Sequence, residues 1–146
     1  MLAYETQLRV QYYETDQMGV VHHSNYVRYF EIGRTDFMRQ LGLLYKTLED
    51  SGIIMPITNV EVKYFFPAYY DDIIFIRSSI KETPKARVTF NYEIYNEERK
   101  LLASGSTTSA FIDKATGRPQ RAPEAMTQAL TEYLSGKPHS YSGAVI

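Results

Sequence analysis

The sequence predicts an α+β domain in which one long helix lies on an antiparallel sheet. Three observations predict it. Tyr26, Phe30, Gly33, Phe37 and Leu41 fall at spacings of four, three, four and four, which puts them on one side of a helix. Several segments of alternating polarity follow, joined by short turns, as antiparallel neighbours require. The order of elements is strand, long helix, four strands and a short helix, so a single apolar helix face must be covered by the sheet. The other sheet face, or an edge, is then a candidate for self-association.

Taken in order, residues 2–13 alternate, with Leu2, Tyr4, Thr6, Leu8, Val10 and Tyr12 facing one way, and read as a half-buried strand. A polar turn holding Asp16 and Gly19 comes next. Gly19 has no Cβ to obstruct a sharp bend. His22, His23, Ser24 and Asn25 lead into the long helix. Ser24 or Asn25 is expected to accept a backbone N–H of its first turn, and Val27 and Met38 to widen its apolar stripe. Gly42 is placed to end this helix. Residues 43–49 predict a short helical piece, broken at Ser51-Gly52.

Residues 53–66 return to the β pattern, irregular near Pro56. Pro67 and Asp71-Asp72 mark a turn, residues 73–82 a strand, and Thr83-Pro84-Lys85 another turn. Residues 86–95 alternate most cleanly. Residues 101–113 form a strand rich in small side chains, including Ser104, Gly105, Ser106 and Ser109, so the long helix is expected to approach there. Pro123 suits a first helical turn, Met126, Ala129, Leu130, Tyr133 and Leu134 give an amphipathic helix, and Gly136 ends it.

Bulk properties narrow the function. A chain of 146 residues is expected to form one domain, residues 1–136, with a flexible tail over residues 137–146. A net charge of −1 gives no general attraction for nucleic acid, and no basic stripe or nucleic-acid motif is present. With no cysteine, disulfides, thiolate metal sites and a cysteine nucleophile are excluded. The N-terminus lacks the apolar segment of a signal peptide and no apolar run reaches membrane-spanning length, so a cytoplasmic location without membrane insertion is expected. The only histidine besides the adjacent pair is His139, so no metal site is expected.

The chemistry concentrates where strand, turn and helix meet. A carboxylate and two imidazoles stand close to the start of a mostly apolar helix. Free N–H groups and partial positive charge at a helix start favour a developing oxyanion. Asp16 is either a base or nucleophile for a carbonyl substrate or a turn-capping residue, a frequent role of aspartate. Glu31 is the rival carboxylate, three residues before Arg34, and a structural ion pair is its simpler reading. The tip at residues 97–100 reads as solvated.

The string Y-Y-E-T-D-x-x-G-V-V-x-H-x-x-Y-x-x-Y-F-E, from Tyr12 to Glu31, resembles the opening motif of the hot-dog-fold acyl-CoA thioesterases of the 4-hydroxybenzoyl-CoA thioesterase group, including the branch similar to the thioesterase of the Tol–Pal cluster. Val62-Lys63-Tyr64-Phe65-Phe66-Pro67-Ala68 followed by Asp71-Asp72 resembles the family's second strand and turn. The resemblance covers about residues 5–113. It implies a long helix wrapped by a curved sheet of about five strands, and a homodimer joined edge to edge or a homotetramer built as a dimer of dimers, with active sites at the dimer interface. By resemblance Asp16 is the catalytic aspartate, and His23 is the helix-start residue whose backbone N–H holds the thioester carbonyl. Gly19 and the backbone of Asn59, Val60 and Glu61 border the pantetheine arm, and Lys85 and Arg87 are the basic candidates for the nucleotide end of CoA. His22 departs from relatives that carry an aromatic residue there. The implied reaction, acyl-CoA plus water giving acid plus CoA, needs no cofactor. An acyl-carrier-protein thioesterase and a non-catalytic acyl-binding module are the alternatives on the same fold.

Overall fold

The structure, a computed structural model, describes residues 2–135. The expected helix stop at Gly136, His139 and the tail lie outside the described residues. Strand β1 (Leu2–Arg9) leads through a 3-10 turn (Tyr12–Glu14) into helix α1 (Asn25–Gln40) and a short helix α2 (Tyr45–Asp50). Strands β2 (Ile53–Ile54), β3 (Ile57–Tyr64), β4 (Ile73–Ile80), β5 (Arg87–Asn96), β6 (Leu101–Ala110) and β7 (Ile112–Asp113) follow, then helix α3 (Glu124–Leu134). Five strands form one antiparallel sheet in the order β1-β4-β5-β6-β3, and β2 pairs with β7.

Helix α1 packs on one face of this sheet because two periodicities meet there. The expected stripe is buried: Tyr26, Phe30, Phe37 and Leu41 are each at most 5 % exposed, and Met38 joins them. On β5 the alternation turns Val88, Phe90, Tyr92 and Ile94 toward the helix. Phe30 stacks on Tyr92 with ring centroids 4.4 Å apart, and Phe37 meets Phe90 edge-on at 5.6 Å. Each such ring contributes roughly 1.5–3 kcal/mol through burial. The small-residue strand does receive the helix: a Cβ on Gly105 would stand 2.6 Å from Phe30 Cε2. Helix α3 closes the end of the core with Met126 and Leu130, and its Tyr133 meets Phe37.

Several expectations are corrected. Strand β1 ends at Arg9 rather than residue 13, and Tyr12 lies exposed, because the Gln11 N–H donates to the Glu14 carboxylate at 2.7 Å and winds residues 12–14 into the 3-10 turn. Val27 is outside the stripe and exposed. Residues 101–113 divide into β6 and β7, since Phe111 turns into the core and Ile112 leaves the large sheet to pair with Ile54. Residues 53–66 divide likewise into β2 and β3. The tip at residues 97–100 is exposed, as expected, and within it Arg99 forms a two-pronged ion pair with Glu5 and covers the Phe75 ring, while Lys100 sits over Phe66.

The largest difference concerns residues 65–72. Strands β3 and β4 are consecutive in sequence but not neighbours in the sheet, where β3 is the far edge beside β6. Residues 65–72 are therefore a crossover rather than a simple turn. The Val21 N–H donates to the Ala68 carbonyl at 2.9 Å, and Val20 bridges Tyr69. This crossover supports the Asp16 turn.

Candidate active site at the start of helix α1

The site is built on a buried carboxylate to which the sequence reading gave no role. Glu14 is 3 % exposed. Its side chain accepts the Gln11 N–H at 2.7 Å and the Tyr29 hydroxyl at 3.0 Å, and it forms an ion pair with Arg28. Its backbone carbonyl accepts the His22 N–H at 2.9 Å and the Asn25 side-chain amide at 2.8 Å. Glu14 thereby ties the end of the 3-10 turn to the first two turns of α1. Burial pushes the Tyr29 phenol well above its ordinary value, so it remains a donor to Glu14.

Between these fixed points residues 15–21 form a small hairpin, with Thr15 bridged to Val21. Asp16 donates its N–H to Val20 O at 2.9 Å and accepts the Gly19 N–H at 3.0 Å on its carbonyl. Gly19 has a φ of +78°, a left-handed conformation that favours glycine, as expected for this bend. Asp16 Oδ1 accepts the Met18 N–H at 2.8 Å and points at the Val20 N–H at 3.4 Å. Oδ2 accepts no hydrogen bond from the described residues. One oxygen therefore caps the turn, as the structural reading expects, and this does not use up the carboxylate.

The helix start supplies the complementary group. Ser24 stands at the N-cap position, but its Oγ lies 2.8 Å from His22 Nδ1 and accepts no helical N–H, and Asn25 donates to Glu14 instead; the expected capping is corrected on both counts. The Ser24 N–H is directed at His22 Nδ1, and the Asn25 and Tyr26 N–H groups donate to the carbonyls of His22 and His23. The His23 N–H donates to no group among the described residues. The His23 carbonyl also accepts the Tyr64 hydroxyl at 2.9 Å. The two imidazoles lie against each other with centroids 4.1 Å apart. Together with Tyr26, Tyr64, Phe65 and Phe66, His23 lines a hollow of about 260 Å³.

The remaining expected residues spread along the sheet. Val60 borders a groove of about 460 Å³ between α1 and β3, whose near end is Ser24. Asn59 and Glu61 sit on the same exposed edge strand, and Glu61 faces Ser106 across it. Lys85 and Arg87 border a surface cleft of about 610 Å³ with Lys81. They lie at the Ile57 end of the sheet, since Arg87 opposes Ala110 and the Ala110 N–H bonds to Pro56 O. The Asp16 turn lies beyond the Tyr64 end, a strand length of about 23 Å away at about 3.3 Å per residue. Asp16 and Gly19 thus share one turn with His23 following it in the chain, Val60 borders a groove that begins at Ser24, and Lys85 and Arg87 lie at the far end of the sheet. The Glu31–Arg34 pair is corrected too: Arg34 donates Nε to Tyr45 OH and Nη1 to Tyr92 OH and Thr107 Oγ1, while Glu31 is exposed. Among the described residues no group of three His, Asp or Glu is placed to hold a metal ion, and no helix is long and apolar enough to cross a membrane.

Comparison with known proteins places these features in a family context. The model of the thioesterase-like superfamily matches residues 10–130. YneP of Bacillus subtilis is 30 % identical over 131 residues, covering 90 % of this chain and 95 % of its own. The acyl-CoA thioester hydrolase YbgC of Escherichia coli O6:H1 is 28 % identical over 82 % of this chain and 89 % of its own. Among solved structures, a DHNA-CoA thioesterase from Staphylococcus aureus superposes with a TM-score of 0.84 at 32 % identity, covering 95 % of this chain and 98 % of that one.

Proposed function

Because the chain belongs to the thioesterase-like superfamily, we propose that it is an acyl-CoA thioesterase that hydrolyses the thioester to a free acid and CoA. The observation that carries this reading is an Asp16 oxygen and a His23 N–H that meet no partner among the described residues, on either side of a hairpin whose flanks Glu14 ties to the start of α1. The relatives' activities point the same way.

In the reaction Asp16 Oδ2 either attacks the thioester carbonyl or removes a proton from the attacking water. The oxygen that becomes negative in the tetrahedral intermediate is placed against the His23 N–H, at the positive end of α1. Collapse expels the CoA thiolate. Pantetheine would run along β3 past Val60, with Asn59 and Glu61 on the same strand and Gly19 at the mouth. Lys85 and Arg87 at the far end would then meet the nucleotide phosphates; the length of β3 suits that span. A single-turnover reaction quenched early separates the two routes, since only attack by Asp16 leaves an acyl group on the protein.

The assembly proposed is a homodimer, with a dimer of dimers as the next level. Edge strand β3 supports it: one side pairs with β6, and the strand exposes Ile57, Val60 and Tyr64 at 40–50 %.

Thiol release measured over short, long and aromatic acyl-CoAs, with an acyl carrier protein thioester as a further substrate, tests the function. Asp16→Asn is expected to lose between about a hundredfold and ten-thousandfold in kcat while keeping its fold. Near-normal turnover by that variant would remove Asp16 from the chemistry. Binding of acyl-CoA without release would favour a non-catalytic module.

A further inference from the structure

The Ser24 hydroxyl takes no part in building the helix that it begins. Its Oγ accepts no helical N–H and lies instead 2.8 Å from His22 Nδ1. The Ser24 N–H is directed at the same Nδ1 at 3.2 Å. Both side chains are exposed, so burial does not press them together. The backbone does: the His22 N–H donates to the Glu14 carbonyl, and the His22 carbonyl accepts the Asn25 N–H. The His23 ring lies against the His22 ring at 4.1 Å. A hydroxyl and an imidazole are thereby kept in contact at the helix start.

The pair has two charge states. In neutral His22, Nδ1 accepts both the Ser24 hydroxyl and the Ser24 N–H, and the ring proton is on Nε2. In the imidazolium both ring nitrogens carry protons. Nδ1–H then donates to Ser24 Oγ, and the hydroxyl proton turns to another acceptor. Imidazole is the side chain that changes between such states near neutral pH. His22 is exposed, so it exchanges its proton with water.

The leaving group is the acceptor that this geometry offers. Ser24 is the near end of the groove along which pantetheine would run, and His23, one residue before it, has the N–H proposed for the carbonyl oxygen. Oxygen and sulfur of a thioester are bonded to one carbon, and the Cα atoms of consecutive residues are about 3.8 Å apart. With the oxygen at His23 and pantetheine starting at Ser24, the sulfur between them stands against Ser24. We propose that Ser24 delivers a proton to the departing CoA sulfur and that His22 replaces it. As the C–S bond breaks, its electron pair goes to sulfur, sulfur takes the Oγ proton, and Oγ takes the Nδ1 proton. His22 is left neutral and regains a proton from solvent. The need is greatest when Asp16 attacks, because carboxylate and thiolate then compete to leave. A carboxylic acid, at about 3.9, is far stronger than a thiol, at about 8.5, so without the proton Asp16 would depart again.

The inference rests on the thioesterase reading, and the test separates the two. Thiol release is measured from an acyl-CoA and from the 4-nitrothiophenyl thioester of the same acid, whose more acidic thiol leaves as thiolate unaided. The ratio of kcat/KM for the first to that for the second is read within each protein. Ser24→Ala is expected to lower this ratio about ten- to a hundredfold with Tm unchanged, the size of one hydrogen bond to a charged group. Ser24→Thr keeps the hydroxyl and is expected to retain most of the ratio. His22→Gln can hydrogen-bond to Ser24 but has no proton to pass on. It is expected to lower the ratio as far as Ser24→Ala, and the double variant no further, because two members of one relay do not add. A ratio unchanged in Ser24→Ala or in His22→Gln overturns the inference, as does an equal fall on both substrates. Release by the parent from neither substrate, nor from any other acyl-CoA, overturns the thioesterase reading and the inference with it.

Discussion

At the scale of single residues, the group that performs the proposed chemistry differs from the group that makes it possible. Asp16 projects from the hairpin, but Glu14, two residues earlier and buried, ties that hairpin to α1 through Gln11, Arg28 and Tyr29. The Arg28 side chain is 41 % exposed, so water takes up its charge when Glu14 is neutralised, and the cost is that of weakened hydrogen bonds to a buried carboxylate, about 1.5–3 kcal/mol. Glu14→Gln is expected to lower stability by an amount of that order, read from urea denaturation, and to lower kcat as well. Tyr64 offers the contrasting case. It is half exposed and its hydroxyl holds the His23 carbonyl, so Tyr64→Phe is expected to leave Tm nearly unchanged. It should reduce kcat several-fold with little change in KM, since one hydrogen bond of about 1 kcal/mol is lost from the group that orients the oxyanion donor.

At the scale of elements, two glycines set how closely helix and sheet approach. A Cβ on Gly33 would stand 2.6 Å from Ser78 Oγ and 2.7 Å from Ile76 Cγ2. Alanine is the better helix former by about 1 kcal/mol, but overpacking a core costs about 1–3 kcal/mol. Gly33→Ala is therefore expected to destabilise despite its propensity. Ser78 Oγ is buried and lacks a partner, so Ser78→Ala added to Gly33→Ala should recover part of the loss, as denaturation midpoints would show. Gly105 has less room still: a Cβ there would lie 2.2 Å from the Glu61 carbonyl on the neighbouring strand. Gly105→Ala must move β3 or Phe30, so it should reduce both Tm and turnover.

At the scale of the whole molecule, the sheet has a free edge and the core a titration limit. On the homodimer proposed above, Val60→Lys on that edge is expected to shift the protein toward monomer in light scattering and to lower turnover together, as charge on an edge strand opposes pairing. Burial pushes the Tyr92 phenol up to about 12, with the Arg34 charge opposing that shift in part. Burial raises Tyr26 and Tyr45 likewise. A folded-state value above the unfolded one means that the native protein holds its proton longer. This stability is therefore fully present below about pH 10 and is lost as pH rises through about 12. Urea midpoints should stay flat to about pH 9 and then fall, and Tyr92→Phe should flatten the fall.

The sequence by itself determined the fold class, the helix stripe and the glycine bend at Gly19, and it nominated Asp16 and His23 for the proposed chemistry. Each of these is local. Periodicity, turn chemistry and a motif spanning twenty residues act between near neighbours, so the chain order records them. Only the tertiary structure decided that β3 is an edge beside β6, that residues 65–72 are a crossover beneath the Asp16 turn, and that Glu14 is the hub of the site. It also decided that Arg34 turns away from Glu31 to Tyr92 and Thr107, residues 58 and 73 positions distant. Partner choice among buried polar groups depends on which segments the core brings together. A helix spacing of three offers Arg34 a carboxylate, but burial of the Phe30 and Phe37 face turns the guanidinium toward the sheet, where hydroxyls from distant strands meet it.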